Sequence, residues 1–141
     1  MTLEKNKALI LRFVEEVWNQ GNEATAHAIL DTEYAAFEIP FVATWRTAFP
    51  DLHFTADEMI AEGDTIAARA TIRGTHTGPF EGETVRFLTT SLQPTGKQIE
   101  FKGIWFFRVQ DGERLRAETE GVADWLTLLR QLGVAPSPQS A

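Results

Sequence analysis

An α+β fold, helices first and an antiparallel sheet after them, follows from two rhythms and one absence. Up to Pro50 the apolar residues recur at helical spacing, and beyond Pro50 the period falls to two. The strand-like runs follow one another across short turns rather than alternating with helices, which excludes repeated βαβ units. The 141 residues fit a single domain over residues 1–133, with a disordered tail over 134–141.

Leu9, Ile10, Phe13, Val14, Val17 and Trp18 make the apolar stripe of a first helix. Gly21 suits a left-handed stop, and Asn22 caps a short second helix that turns Ala26, Ile29 and Leu30 inward. Pro40 suits the first turn of a third helix, FVATWRTAF, ended by Pro50 and apolar along Phe41, Trp45, Ala48 and Phe49. LHFTADEMIA reads as a strand, EGD as a turn and TIAARATIRGTH as the returning strand. After the loop TGPFEGE come a strand TVRFLTTSLQ, the turn PTGK and the long strand QIEFKGIWFFRV. The turn QDG leads into ERLRAETEGVA, and Asp124 caps a last helix, WLTLLRQL, that Gly133 stops.

Composition excludes several functions. A net charge of −7 argues against nucleic acid as a partner, and no basic amphipathic run suggests a membrane surface. There is no cysteine, hence no disulfide, thiolate metal site or cysteine nucleophile. The start MTLEKNKALI lacks a long apolar segment, so a cytoplasmic location is expected. No phosphate-cradling glycine loop and no Gly-x-Ser-x-Gly elbow occur. Ten phenylalanines and four tryptophans favour an aromatic core or an aromatic-lined pocket for a hydrophobic small molecule.

Glu118 and Glu120 raise the question of paired catalytic carboxylates. A type I turn with a glycine bulge at Gln110-Asp111-Gly112 sets Arg108 opposite Arg114, Phe107 opposite Leu115 and Trp105 opposite Ala117. Ile104 then faces Glu118, Gly103 faces Thr119 and Lys102 faces Glu120. One face carries Trp105, Phe107, Val109, Leu115, Ala117 and Thr119. The glutamates fall on the other, among cations, as a salt-laced surface. Ile104 and Phe106 among those charges suggest a homodimer contact through the outer sheet face.

The stretches AFPDLHFTADEMIAEGDTIAARATIRGTHTGPFEG, PTGKQIEFKGIWFFRVQDGERL and DWLTLLRQLG, in this order, closely resemble the SnoaL-like polyketide cyclases of the NTF2-like superfamily. The resemblance implies an NTF2-like cone, a curved antiparallel sheet wrapped around helices with an apolar pocket inside. It further implies a polyketide-like carbonyl substrate and intramolecular aldol ring closure with neither metal nor cofactor. An acid or a histidine moves the proton. Three departures stand out. Thr119 and Trp105 occupy the places of the cyclases' acid/base pair, and neither side chain can accept a proton at neutral pH. The segment DTEYAAFEIP lacks the histidine common there, and ETVRFLTTSL looks inserted.

Acid/base candidates are therefore sought elsewhere. His76 in GTHTG is either a pocket-mouth base or a turn histidine bonded to the backbone. Glu38 is either a buried acid or a loop glutamate in water. Trp105, Phe107 and Thr119 are expected on the inward face, and Tyr34 and Arg46 beside the pocket mouth. Arg69 meets either an enolate or a cross-strand partner, Asp57 or Glu58. His27 and His53 should face solvent, and the three histidines lack metal-ligand spacing. Two alternatives to the cyclase remain: a binder holding a flat ligand against Trp105 and Phe107, and a dimeric interaction module.

Overall fold

The computed structural model describes residues 3–80, 91–110 and 113–134, without the side chains of 117–120. The expected tail beyond Val134, residues 111–112 of the QDG turn, and residues 83–90 of the expected insertion at 83–92, with most of the strand TVRFLTTSLQ expected there, lie outside the described residues. Helix α1 (Leu3–Arg12) runs directly into a π-helical segment, Phe13–Trp18. α2 (Glu23–Ile29) and α3 (Thr32–Ala48) follow. Four strands, β1 (His53–Glu62), β2 (Thr65–Thr75), β3 (Gln98–Gln110) and β4 (Arg114–Ala123), form an antiparallel sheet in sequential order, and α4 (Trp125–Leu132) ends the fold. This is the α+β architecture of an NTF2-like cone.

The stripe Leu9/Phe13/Val17 and Ile10/Val14/Trp18 is buried throughout. Its spacing is strictly four, so in a regular α-helix it would drift by about 40° per step. The π segment, with its wider turns, keeps the stripe on one face. Asn22 caps α2 through Thr25 N–H at 3.1 Å, and Asp124 caps α4 through Thr127 N–H at 3.1 Å. Gly21 and Gly133 both adopt positive φ, +67° and +81°.

α3 departs from expectation. It starts at Thr32, eight residues before Pro40, and Pro40 sits inside it. The proline costs one intrahelical bond, from the Ala36 carbonyl. Burial of Tyr34, Ala35, Glu38, Val42, Trp45 and Ala48 along one face outweighs that loss.

On the sheet, Ile66, Ala68, Ala70 and Ile72 of β2 and Ile99, Phe101, Phe107 and Val109 of β3 are buried on the inner face. β1 carries a bulge between Ala56 and Glu58. The β3–β4 register is not the expected one. Val109 pairs with Leu115, Arg108 with Ala117, Phe107 with Glu118, Phe106 with Glu120, Trp105 with Gly121 and Ile104 with Val122. Two register shifts, between Phe106 and Phe107 and between Arg108 and Val109, replace the single bulge assumed at the turn. Lys102 therefore does not face Glu120; its carbonyl takes the Asp124 N–H at 2.9 Å.

Two contacts close the cone. Asp31 N–H donates to the Leu115 carbonyl at 2.8 Å, and Arg114 Nη1 to the Leu30 carbonyl at 3.0 Å, joining the α2–α3 corner to β4. The Gln131 amide bonds both backbone groups of Glu100 at 2.9 Å, so α4 covers β3 where β4 has run out.

Two glycines are required for different reasons. A Cβ on Gly78 would overlap the Thr47 carbonyl, and backbone meeting backbone leaves no rotamer to relieve it. Gly63 has open space around it but a φ of +59°. Gly78→Ala should cost about 3 kcal/mol or more and Gly63→Ala about 1 kcal/mol in urea denaturation. Equal losses would contradict this assignment.

Candidate functional site

Glu38 lies on the buried face of α3, one turn after Tyr34, and is only 2% exposed. Trp18 Nε1 donates to its Oε2 at 3.2 Å. The Trp18 ring is packed between Phe54 of β1, with centroids 4.7 Å apart, and Phe41 of α3, edge-on at 5.9 Å. Phe54 in turn lies 6.1 Å from Trp105 on β3. One carboxylate is thus bonded to an indole that itself packs in a row of aromatic rings running from α3 to the inner sheet. The sequence reading had left Glu38 before the third helix. Helical phase from Thr32 puts it on the same side as Tyr34 and Trp45.

Trp105 is half-buried and rests over Gly103, where any Cβ would collide with its ring. Next to it the inner face carries only small side chains, Ala56, Ala70 and Gly103 lying in one cross-strand row. Phe107 is core: Phe13 meets it edge-on at 5.8 Å, and Tyr34 packs on Phe13 at 6.1 Å. Thr119 lies within β4, but its side chain is outside the described residues, as are those of Glu118 and Glu120.

Arg46 meets this group only through backbone, and Arg69 lies away from it. Arg46 directs Nη1 to the carbonyls of Trp18 at 3.0 Å and Leu52 at 3.4 Å, and Nη2 to that of Pro50 at 3.4 Å. It rims a groove of about 310 Å³ between α2 and α3, with Val17, Ala26, Ile39 and Val42 among its lining. Arg69 stands on the outer sheet face, 3.6 Å from Glu58, so the cross-strand alternative holds. Asp57 accepts the Thr71 hydroxyl instead, at 2.6 Å. His27 and His53 are exposed. Among the described residues no group of three His, Asp or Glu is placed to hold a metal ion.

His76 is fully buried, at the end of β2. Its Nδ1 accepts the Thr95 N–H at 3.2 Å and lies 3.0 Å from the Thr95 hydroxyl. A backbone N–H only donates, so the neutral ring carries its proton on Nε2. Nε2 has no hydrogen-bond partner among the described residues. The ring packs at a tilt against Phe49, centroids 5.3 Å apart. Burial pushes its titration below the ordinary value, while the Gly78 backbone pulls the other way. Nearby, burial raises Asp51, but the N–H and hydroxyl of Thr75, at 2.7 and 2.8 Å, bring its carboxyl below the usual range.

The structure does not bring Glu38 and His76 together. Phe49, against which His76 packs, is eleven residues beyond Glu38, roughly 16 Å along the helix. Glu38 is the buried acid of one end, and His76 pins the 95–97 loop at the other. Trp18, which the sequence reading placed only in a core stripe, is the functional neighbour it missed.

The model of the SnoaL-like polyketide cyclases matches residues 8–132. The chain belongs to this family. TsrD from Streptomyces laurentii has the same fold, with a TM-score of 0.80 at 23% identity over 96% of this chain and 99% of its own. AclR from Streptomyces galilaeus, a candidate hydroxylase, gives 0.76 at 24% identity, covering 98% of this chain and 87% of its own. A SnoaL-like polyketide cyclase from Agrobacterium tumefaciens gives 0.67 at 17% identity, covering 91% and 98%. No curated protein matches the chain in sequence. No helix among the described residues is long and apolar enough to cross a membrane.

His76 gives a pH prediction. Its folded-state titration is lowered from 6.5, so the unfolded chain takes up the proton first. The stabilising contribution is complete above that pH and is lost as pH falls below it. The wild-type Tm should drop more between about pH 7.5 and about pH 5 than that of His76→Asn, whose amide oxygen can still accept the Thr95 N–H. Parallel Tm curves would contradict the assignment.

Proposed function

We propose that this protein binds a flat, carbonyl-bearing, polyketide-like small molecule inside the cone and performs cofactor-free acid/base chemistry on it, with Glu38 as the proton acceptor. The observation that carries this reading is Glu38, 2% exposed, with the indole of Trp18 on one carboxylate oxygen and further aromatic rings packed on that indole. The half-buried Trp105 ring, lying over Gly103 with the small side chains of Ala56 and Ala70 beside it, is the surface on which a planar ligand would stack. The carboxylate takes a proton from the carbon next to the carbonyl, giving an enolate and a protonated Glu38. The enolate carbon attacks a second carbonyl carbon of the same molecule, and the resulting alkoxide receives the proton back. His76 is assigned a structural role, since its Nδ1 is already an acceptor for backbone.

The test is deuterium exchange into the carbon acid 1-indanone, followed by NMR in D₂O. Glu38→Gln should lower the exchange rate by about 100-fold or more while planar ketones still raise its Tm. Exchange unchanged in Glu38→Gln would remove this residue from the chemistry. Ligand-induced Tm shifts without exchange in either protein would favour the non-catalytic binder.

A second reading concerns assembly. Ile60, Ile104, Phe106 and Val122 are all exposed on the outer sheet face, with Ile104 opposite Val122 and Ala67 bridging Ile60 to Phe106. A homodimer through this face would cover them. Phe106→Asp should then halve the mass seen by light scattering. An unchanged mass would count against the dimer.

A further inference from the structure

We infer that Trp18 is a positioning residue for Glu38: its indole N–H holds the carboxylate in one orientation for proton transfer. This rests on the acid/base role proposed for Glu38. A ring that only fills space has no need of a donor, and phenylalanine would serve. Here the donor is buried and its acceptor is a buried carboxylate, an arrangement less favourable than an apolar pair of the same volume.

Trp18 is fixed from several directions at once. It is the last residue of the π-helical segment, whose turn closes with Asn19 N–H on the Val14 carbonyl at 3.0 Å. Its own carbonyl takes Arg46 Nη1 at 3.0 Å. The next residue, Asn19, exchanges two hydrogen bonds with the Phe54 backbone, accepting at 2.7 Å and donating at 3.0 Å. Phe54 and Phe41 confine the ring faces and edge. Arg46 donates to the backbone carbonyls of Trp18, Leu52 and Pro50, and so ties the backbone of Trp18 to α3 and to the entry of β1. Each contact removes a freedom of the indole, and the indole N–H ends on Glu38.

The test compares wild type with Trp18→Phe, which keeps a ring between Phe41 and Phe54 and drops the donor. Should that variant fail to fold, benzothienylalanine at position 18 exchanges only the N–H for sulfur. Two readouts are taken: exchange into 1-indanone, and the pH titration of the ¹³C-labelled Glu38 carboxyl by NMR. Losing a donor to the charged form should move the Glu38 midpoint upward by about one pH unit. The exchange kcat should fall about ten- to hundred-fold with KM within about twofold. An unmoved midpoint and unchanged kcat would overturn the inference and leave Trp18 as core. A moved midpoint with no exchange in wild type would keep the hold of Trp18 on Glu38 and refute the base role of Glu38 instead.

Discussion

A curved sheet cannot close on a helix unless something wide fills the space between them, and here that filler is Trp45. Its ring lies within 4.8 Å of Phe80, 5.8 Å of Phe49, 6.1 Å of Phe101, 6.2 Å of Trp125 and 6.3 Å of Phe41, centroid to centroid. One side chain therefore touches α3 and its C-cap, the segment after β2, the inner face of β3 and α4. Aromatic contacts of this kind add about 0.5–1.5 kcal/mol each beyond the area they bury. They also fix where α3 lies against the sheet, and hence which α3 residues face inward. Glu38 is seven residues before Trp45, two turns along the same face, so its burial follows from the packing of Trp45 rather than from any local preference of a glutamate.

The division of labour inside the cone follows from this. At the Trp45 end the aromatic rings are packed edge to face, and His76 contributes a buried, backbone-anchored ring to that mass. Towards the start of α3 the opposing sheet wall thins to alanine and glycine, with a half-buried indole lying over it. A carboxylate at the first end would have no room for a reactant. At the second end it is bonded to the indole of Trp18.

Much of this was legible in the sequence because it depends on local periodicity. The inward set Ile66, Ala68, Ala70 and Ile72, the caps at Asn22 and Asp124, and the stops at Gly21 and Gly133 each need only their neighbours to be read. The inward parity of Phe107 and Val109 on β3 was readable for the same reason. What failed was set by distant contacts. Pro40 looked like a helix start because nothing in DTEYAAFEIP announces that Trp45 will hold the preceding turns in line. The β3–β4 register depends on two shifts, and each one moves every later pair without leaving a residue signature. Of the site, Trp105 and Glu38 were named from the sequence. The link through Trp18 was not, since a hydrogen bond between residues twenty apart on different helices has no local mark.

The π-helical segment has a further consequence. Relative to a regular α-helix it amounts to one extra residue accommodated within Phe13–Trp18. A chain lacking that residue would form a more regular helix with better-satisfied backbone. It would also rotate Leu9 and Ile10 by about 100° against Trp18, so the stripe and the indole could no longer both face inward. Local helical regularity and the alignment of the core with the buried acid are therefore opposed in this family member, and the irregular turn is what reconciles them.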